Sequence, residues 1–268
     1  MDVLAYLPPL QLSHLRAVVG DGGTHRIHLT RGWAEVEAIL RRESIDVAVL
    51  DPAAAGTVEA APIIAVARRF RSLPVVMYTA LTPGSLKGVL ALAREGLTEL
   101  VLHRFDDDPG RFRELLERLS TNALAETLVA RLQPRLIQLP GALADAVVEC
   151  FRHPSLYGVA EDLARRGSAS RRTLYRALAA AGLGSPSQVV KGARMLRAYG
   201  YLRDSGYSLE DVAMKCGFGS RQRFARHVRQ LASMQPRELR RRMTPEEFVT
   251  LLAARLGEPE REEEEEFS

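Results

Sequence analysis

Two stretches of this chain set the same side chains at the same spacing. Gly167-Ser-Ala-Ser-Arg-Arg-Thr-Leu-Tyr-Arg176 and Gly217-Phe-Gly-Ser-Arg-Gln-Arg-Phe-Ala-Arg226 each run through a glycine, a serine three residues on, an apolar anchor and an arginine. Guanidinium and carboxamide groups are planar forks that match base edges in a major groove, arginine with guanine O6 and N7, glutamine with adenine N6 and N7. At helical spacing Leu174 and Leu178 turn inward while Arg172, Tyr175 and Arg176 turn outward. In the second copy Phe224, Val228 and Leu231 turn inward, and Gln222, Ala225, Arg226 and Arg229 outward. One such face is what any solvated helix presents; two copies point to a pair of nucleic-acid readers. The candidate base-reading residues are Arg172, Tyr175, Arg176, Gln222, Arg223 and Arg226, with Arg171, Arg221 and Arg229 as candidate phosphate contacts that fix register.

Helices must hold these side chains. Each glycine follows a short amphipathic stretch, residues 159–166 or 209–216, and reads as the sharp turn between two helices. Ser170 and Ser220 stand where a hydroxyl would cap the next helix. The repeat is imperfect, because Ala164 and Ala213 fall one residue out of step with the glycines. Between the copies, Ser185-Pro186 opens a further helix with Val189, Ala193, Leu196 and Gly200 at helical spacing. A rod of that length spans roughly 28 Å, commensurate with the roughly 34 Å between successive major-groove faces.

Charge points the same way. Residues 151–242 carry 19 Lys+Arg against 6 Asp+Glu, while residues 1–150 are close to neutral and residues 243–268 are acidic, so the net +4 conceals one strongly basic segment. Over 139–242 the chain resembles the AraC/XylS family of transcription regulators. The likeness rests on Val159-Ala-Glu-Asp-Leu-Ala164, Ser170 to Arg176, Arg194, Ala198, Tyr201-Leu202 and Ser205-Gly206, then Asp211-Val-Ala213, Gly217-Phe218, Phe224, Arg226, Pro236 and Leu239-Arg240. It implies two helix-turn-helix units, double-stranded promoter DNA and RNA polymerase as partners, and base contacts from the two helices reached above by periodicity. Ser168 and Ser233 stand where this family usually has glycine, and Gly200 interrupts the expected linker helix.

The first 120 residues follow another rhythm. Apolar runs at 3–7, 26–29, 47–50, 75–78 and 100–102 alternate with amphipathic segments, which predicts a doubly wound α/β domain on a five-stranded parallel sheet, ahead of an all-helical second half. This half resembles a response-regulator receiver domain: Ile45 to Pro52 is similar to the strand ending in the phosphorylatable aspartate, here Asp51, and Leu73 to Ala80 to the strand ending in the switch threonine, here Thr79. The family's chemistry needs an acidic pair that holds magnesium after the first strand, and a lysine. Here Leu7-Pro8-Pro9-Leu10 follows that strand and His103-Arg104 replaces the lysine and its proline. The expectation is a degenerate receiver that works without phosphorylation, for dimerisation or for input from an effector or signalling protein. The alternatives are a kinase-driven regulator with Asp51 as phosphoacceptor, and, from another class, an architectural DNA binder resting on phosphates alone.

The domain reading is 1–120 receiver-like, 121–138 helical linker, 139–242 DNA-binding, and 243–268 a short helix with an acidic tail. The apolar stripe over 112–132 reads as the closing helix of the sheet, or as a longer helix that pairs with a second chain in a homodimer. Cys150 and Cys216 need no disulfide, no apolar run reaches membrane length, and a cytoplasmic location without membrane partners follows. His25 and His28 point to opposite faces of a strand, the other histidines lack ligand spacing, and no nucleophile–base pair is evident; no metal, cofactor or enzymatic activity is expected. Gly20-Asp-Gly-Gly23 reads as a turn, and Asp106-Asp-Asp-Pro109 as a helix cap.

Overall fold

The computed structural model describes residues 1–20, 25–120 and 122–258. The acidic run Glu262 to Glu266 and most of the turn at 20–23 lie outside them. The chain forms two compact units, one of Met1–Thr121 with Arg203–Lys215, the other of Asn122–Leu202 with Cys216–Ser268.

In the first unit five strands, β1 (Asp2–Tyr6), β2 (Arg26–Leu29), β3 (Val47–Leu50), β4 (Val75–Thr79) and β5 (Leu100–Leu102), pair in parallel in the order β2-β1-β3-β4-β5. Every residue of β1, β3 and β4 is buried, as a sheet covered on both faces requires, whereas the edge strand β2 is partly exposed. The helices between strands are α1 (Pro9–Val19), α2 (Trp33–Arg42), α3 (Ala60–Arg69) and α4 (Pro83–Arg94), followed by α5 (Pro109–Ser120). Val3, Ala5, Val47, Val49, Val76, Tyr78 and Val101 share one core with Leu15, Val18 and Val19 of α1 and Phe112 and Leu116 of α5. The direction of the strand order reverses between β1 and β3, and a right-handed crossover then puts α2, α3 and α4 on the opposite face from α1. Asp51 sits at the carboxyl end of β3, beside that reversal, which is where open α/β sheets commonly place their sites.

The second unit is helical: α6 (Ala123–Leu136), α7 (Gly141–Arg152), a 3-10 turn (Pro154–Leu156), α8 (Ala160–Arg166), α9 (Arg171–Ala180), α10 (Pro186–Leu202), α12 (Arg221–Ala232), α13 (Pro236–Arg242) and α14 (Pro245–Arg255). The intervening α11 (Leu209–Lys215) belongs to the first unit. Helix α10 is the axis, buried nearly all round and packed against α7, α8, α9, α13 and α14. Tyr199 stacks on Phe248 of α14 with centroids 4.1 Å apart and donates its hydroxyl to the Met243 carbonyl at 2.7 Å.

Three expectations need correction. The stripe over 112–132 is two helices, with Asn122 accepting from Leu124 N at 3.0 Å as the cap of α6. The helical linker expected over 121–138 is, from Asn122 on, a packed helix: Ala125, Leu128, Leu132 and Leu136 are buried and α6 packs on α7 and α14, so that part of the stripe is already covered within the chain. Gly200 does not interrupt α10, which runs through it to Leu202.

Candidate nucleic-acid interface

Helix α9 begins at Arg171 because the Ser170 hydroxyl accepts from Thr173 N at 3.1 Å, and α12 begins at Arg221 because Ser220 does the same for Arg223 N at 3.2 Å. Each cap satisfies an amide that the helix geometry leaves without a partner. Leu174 and Leu178 bury one face of α9, and Phe224, Val228 and Ala232 bury one face of α12; Leu231 is only partly covered. With those faces fixed, Arg171, Arg172, Tyr175 and Arg176 are exposed on α9, and Arg221, Gln222, Arg223, Arg226 and Arg229 on α12. Ala225 is half-buried. All nine predicted side chains thus lie on solvent-facing surfaces of two capped helices.

The arginines keep most of their donors for a ligand. Arg171 stands 3.9 Å from Glu161 on α8 and its guanidinium lies 5.7 Å from the centroid of the Tyr175 ring. Both partners of that ion pair are well exposed, so the pairing is weak and yields readily to a phosphate. Phe218, seated 5.1 Å from Phe224 and 5.4 Å from His227 between ring centroids, anchors the start of α12 from the turn before it.

The two turns solve one geometric problem differently. In the second copy Gly217 takes φ 72°, the left-handed conformation that glycine adopts freely. In the first copy Gly167 has φ −81° and the left-handed residue is Ser168, φ 50°. Ser168 and Gly217 each follow their helix alanine, Ala164 or Ala213, by the same interval, so the repeat is in register at the backbone although the glycines are not. Gly167 is needed for space instead, since a Cβ there would collide with the Leu143 side chain. Ser233 likewise ends α12 in the left-handed region, φ 54°, donating its amide to Arg229 O at 2.8 Å.

In the first unit Asp51 is 1% exposed and both its oxygens are engaged. Oδ1 accepts from Thr79 Oγ1 at 2.9 Å and from Ala53 N at 2.8 Å, and Oδ2 accepts from the Gln11 amide at 2.6 Å. Burial pushes the Asp51 carboxyl above the ordinary range, against the three hydrogen bonds that favour the anion. Gln11 was not singled out from sequence, although it lies on the inward stripe of α1 with Leu15 and Val18; a polar residue on such a stripe is the signal. His103 pairs with Asp107, 2.7 Å from its carboxylate, which also accepts from the Tyr78 hydroxyl at 2.6 Å. Burial opposes ionisation of Asp107, yet hydrogen bonds from Tyr78, His103 and Arg104 N hold its carboxyl below the usual range. The cap of α5 is Asp108, which accepts from Arg111 N at 3.1 Å, so Asp107 and Asp108 divide the work of the aspartate run. His25 bonds to the Met1 amino group and His28 to Asp2, and no cluster of metal-ligating side chains exists among the described residues. Cys150 and Cys216 are both buried. No described helix is long and apolar enough to cross a membrane.

A helix-turn-helix domain model matches residues 163–242. The HTH-type transcriptional activator RhaS of Klebsiella pneumoniae (strain 342) is 31% identical over 132 residues, 48% of this chain and 44% of that protein. RhaS of Citrobacter koseri is 32% identical over 131 residues, with the same two shares, and RhaS of Enterobacter sp. (strain 638) 33% identical over 129. The chain spans less than half the length of these relatives. Among solved structures, full-length FixJ from B. japonicum matches 81% of this chain and 96% of its own at 15% identity, with a TM-score of 0.39, too slight a likeness to carry an inference.

Proposed function

We propose that residues 163–242, which match a helix-turn-helix domain model, form a DNA-binding domain of the AraC type, and that the chain regulates transcription by binding a specific promoter sequence through α9 and α12. The observation that carries this reading is the pair of serine-capped helices whose apolar faces are buried and whose outward faces hold Arg172, Tyr175, Arg176, Gln222, Arg223 and Arg226. Those six read base edges; Arg171, Arg221 and Arg229 fix register on phosphates. The α/β domain serves signal input or dimerisation without phosphoryl transfer. Gln11 donates to Asp51 Oδ2 and so occupies one carboxylate oxygen, and Leu7-Pro8-Pro9-Leu10 after β1 offers no carboxylate to hold magnesium. RNA polymerase and an effector or signalling protein are the further partners this role requires.

Selection of bound sequences from a random duplex pool by the purified chain tests the proposal. Recovery of one recurring motif supports it, and recovery of the unselected pool contradicts it in favour of an architectural binder held by phosphates alone. The Asp51–Thr79 contact is the one feature that favours a kinase-driven regulator. Incubation with a small phosphodonor and magnesium separates the two: a stoichiometric, hydroxylamine-labile adduct at Asp51 would establish the second reading.

A further inference from the structure

Residues 203–215 lie within the sequence of the helix-turn-helix match, yet they pack as part of the first unit. The turn ahead of α11 is held by the loop between α3 and β4. Asp204, only 1% exposed, accepts from Ser72 N at 3.0 Å through Oδ1 and from the Ser72 hydroxyl through Oδ2. Gly206 N donates to Arg69 O at 2.9 Å, and a Cβ on Gly206 would collide with Phe70 Cε1, so any side chain there would have to displace the buried ring. Phe70, fully buried, meets Tyr207 edge-on with centroids 4.9 Å apart. At the other end of α11 the Lys215 ammonium donates to Leu40 O at 2.5 Å and to Glu43 O, and Ser44 Oγ donates to Lys215 O at 3.4 Å. The carbonyls at the end of α2 have no partner within their own helix and carry its negative dipole, which suits an ammonium.

We propose that this packing is an autoinhibitory clasp. The α/β domain holds the leading helix of the second helix-turn-helix unit and keeps Lys215 on α2 instead of on a DNA phosphate, so the clasped chain binds DNA less tightly than the released one. This rests on the DNA-reading role argued above. Coupling is reciprocal: DNA that favours the released form loosens the clasp by the factor through which release strengthens DNA binding.

The test uses the full chain with Ser72→Glu, which sets a second carboxylate against buried Asp204, and Ser72→Ala, which removes only the hydroxyl donor. Ser72 is exposed, so neither change enters the sheet core. Hydrogen exchange reports release of 203–215 with β1, β3 and β4 as internal controls, and titration of the pool-selected duplex reports affinity. The expected result is faster exchange over 203–215 alone, with binding tightened by about fivefold or more in Ser72→Glu and less in Ser72→Ala. Unchanged or weaker binding once 203–215 is released overturns the clasp, as does exchange over 203–215 that is already unprotected in the parent chain. Failure of the parent chain to select any sequence is a separate result, which removes the DNA-reading role and the clasp with it.

Discussion

Arg226 and Arg221 sit on one helix and are assigned different work, which makes them separable by experiment. Arg226→Ala is predicted to cost about 1–3 kcal/mol on the selected duplex and to relax one base position, whereas Arg221→Ala weakens selected and random duplexes alike and lowers the salt slope by about one. Titrations at several salt concentrations check both, and equal losses on both duplexes for Arg226→Ala would refute its base-reading role. Asp51 gives a stability prediction with a definite sign. Its carboxyl is raised by burial in the folded chain, so the protonated form is favoured there. The stability this confers is full below the unfolded value near 3.9 and is lost as pH rises through the higher folded value. Asp51→Asn, with Gln11 turning its amide over to accept, is therefore expected to raise the urea midpoint at pH 7 and to leave it unchanged below about pH 4. A lower midpoint at pH 7 would contradict the account. At this scale the sequence was legible where a residue's role follows from helical phase, as for Leu174 or Phe224. It was not legible for Gln11, Tyr78 and Asp107, whose hydrogen bonds to one another and to Asp51 reach across 29 to 67 residues and depend on the sheet order.

Among the elements, the turn between α8 and α9 carries a cost that its counterpart before α12 does not. Ser168 occupies the left-handed region with a Cβ, while Gly217 occupies it without one. Ser168→Gly is predicted to stabilise the chain by about 0.5–1 kcal/mol, measured by urea unfolding, the relief of strain outweighing the added freedom of the unfolded chain. A loss of stability would show that the serine hydroxyl does more than tolerate the turn. Periodicity located α9 and α12 because each has a single apolar face. It misread 112–132 as continuous, since Phe112, Leu116, Ser120, Leu124, Leu128 and Leu132 keep a four-residue step across the break between α5 and α6. Only the capping residue Asn122 marks the boundary, and a cap is a weaker signal than six residues in phase.

For the whole molecule, the concentration of charge in 151–242 and the alternation of strand and helix before residue 120 were enough to separate a sheet-based half from a basic helical one. The placement of 203–215 with the first unit could not be read in the same way. An amphipathic helix is satisfied by any apolar partner, and the groups that choose this one, Ser72, Phe70 and the carbonyls ending α2, lie more than 130 residues away in the chain. The central claim is that α9 and α12 read one duplex together, joined by α10, whose 17 residues make a rod of about 26 Å. Guanine N7 methylation protection on the pool-selected duplex tests it most directly. The account predicts two protected major-groove clusters about one helical turn apart, one lost in Arg176→Ala and the other in Arg226→Ala. A single cluster, or the loss of both clusters with either substitution, would contradict it.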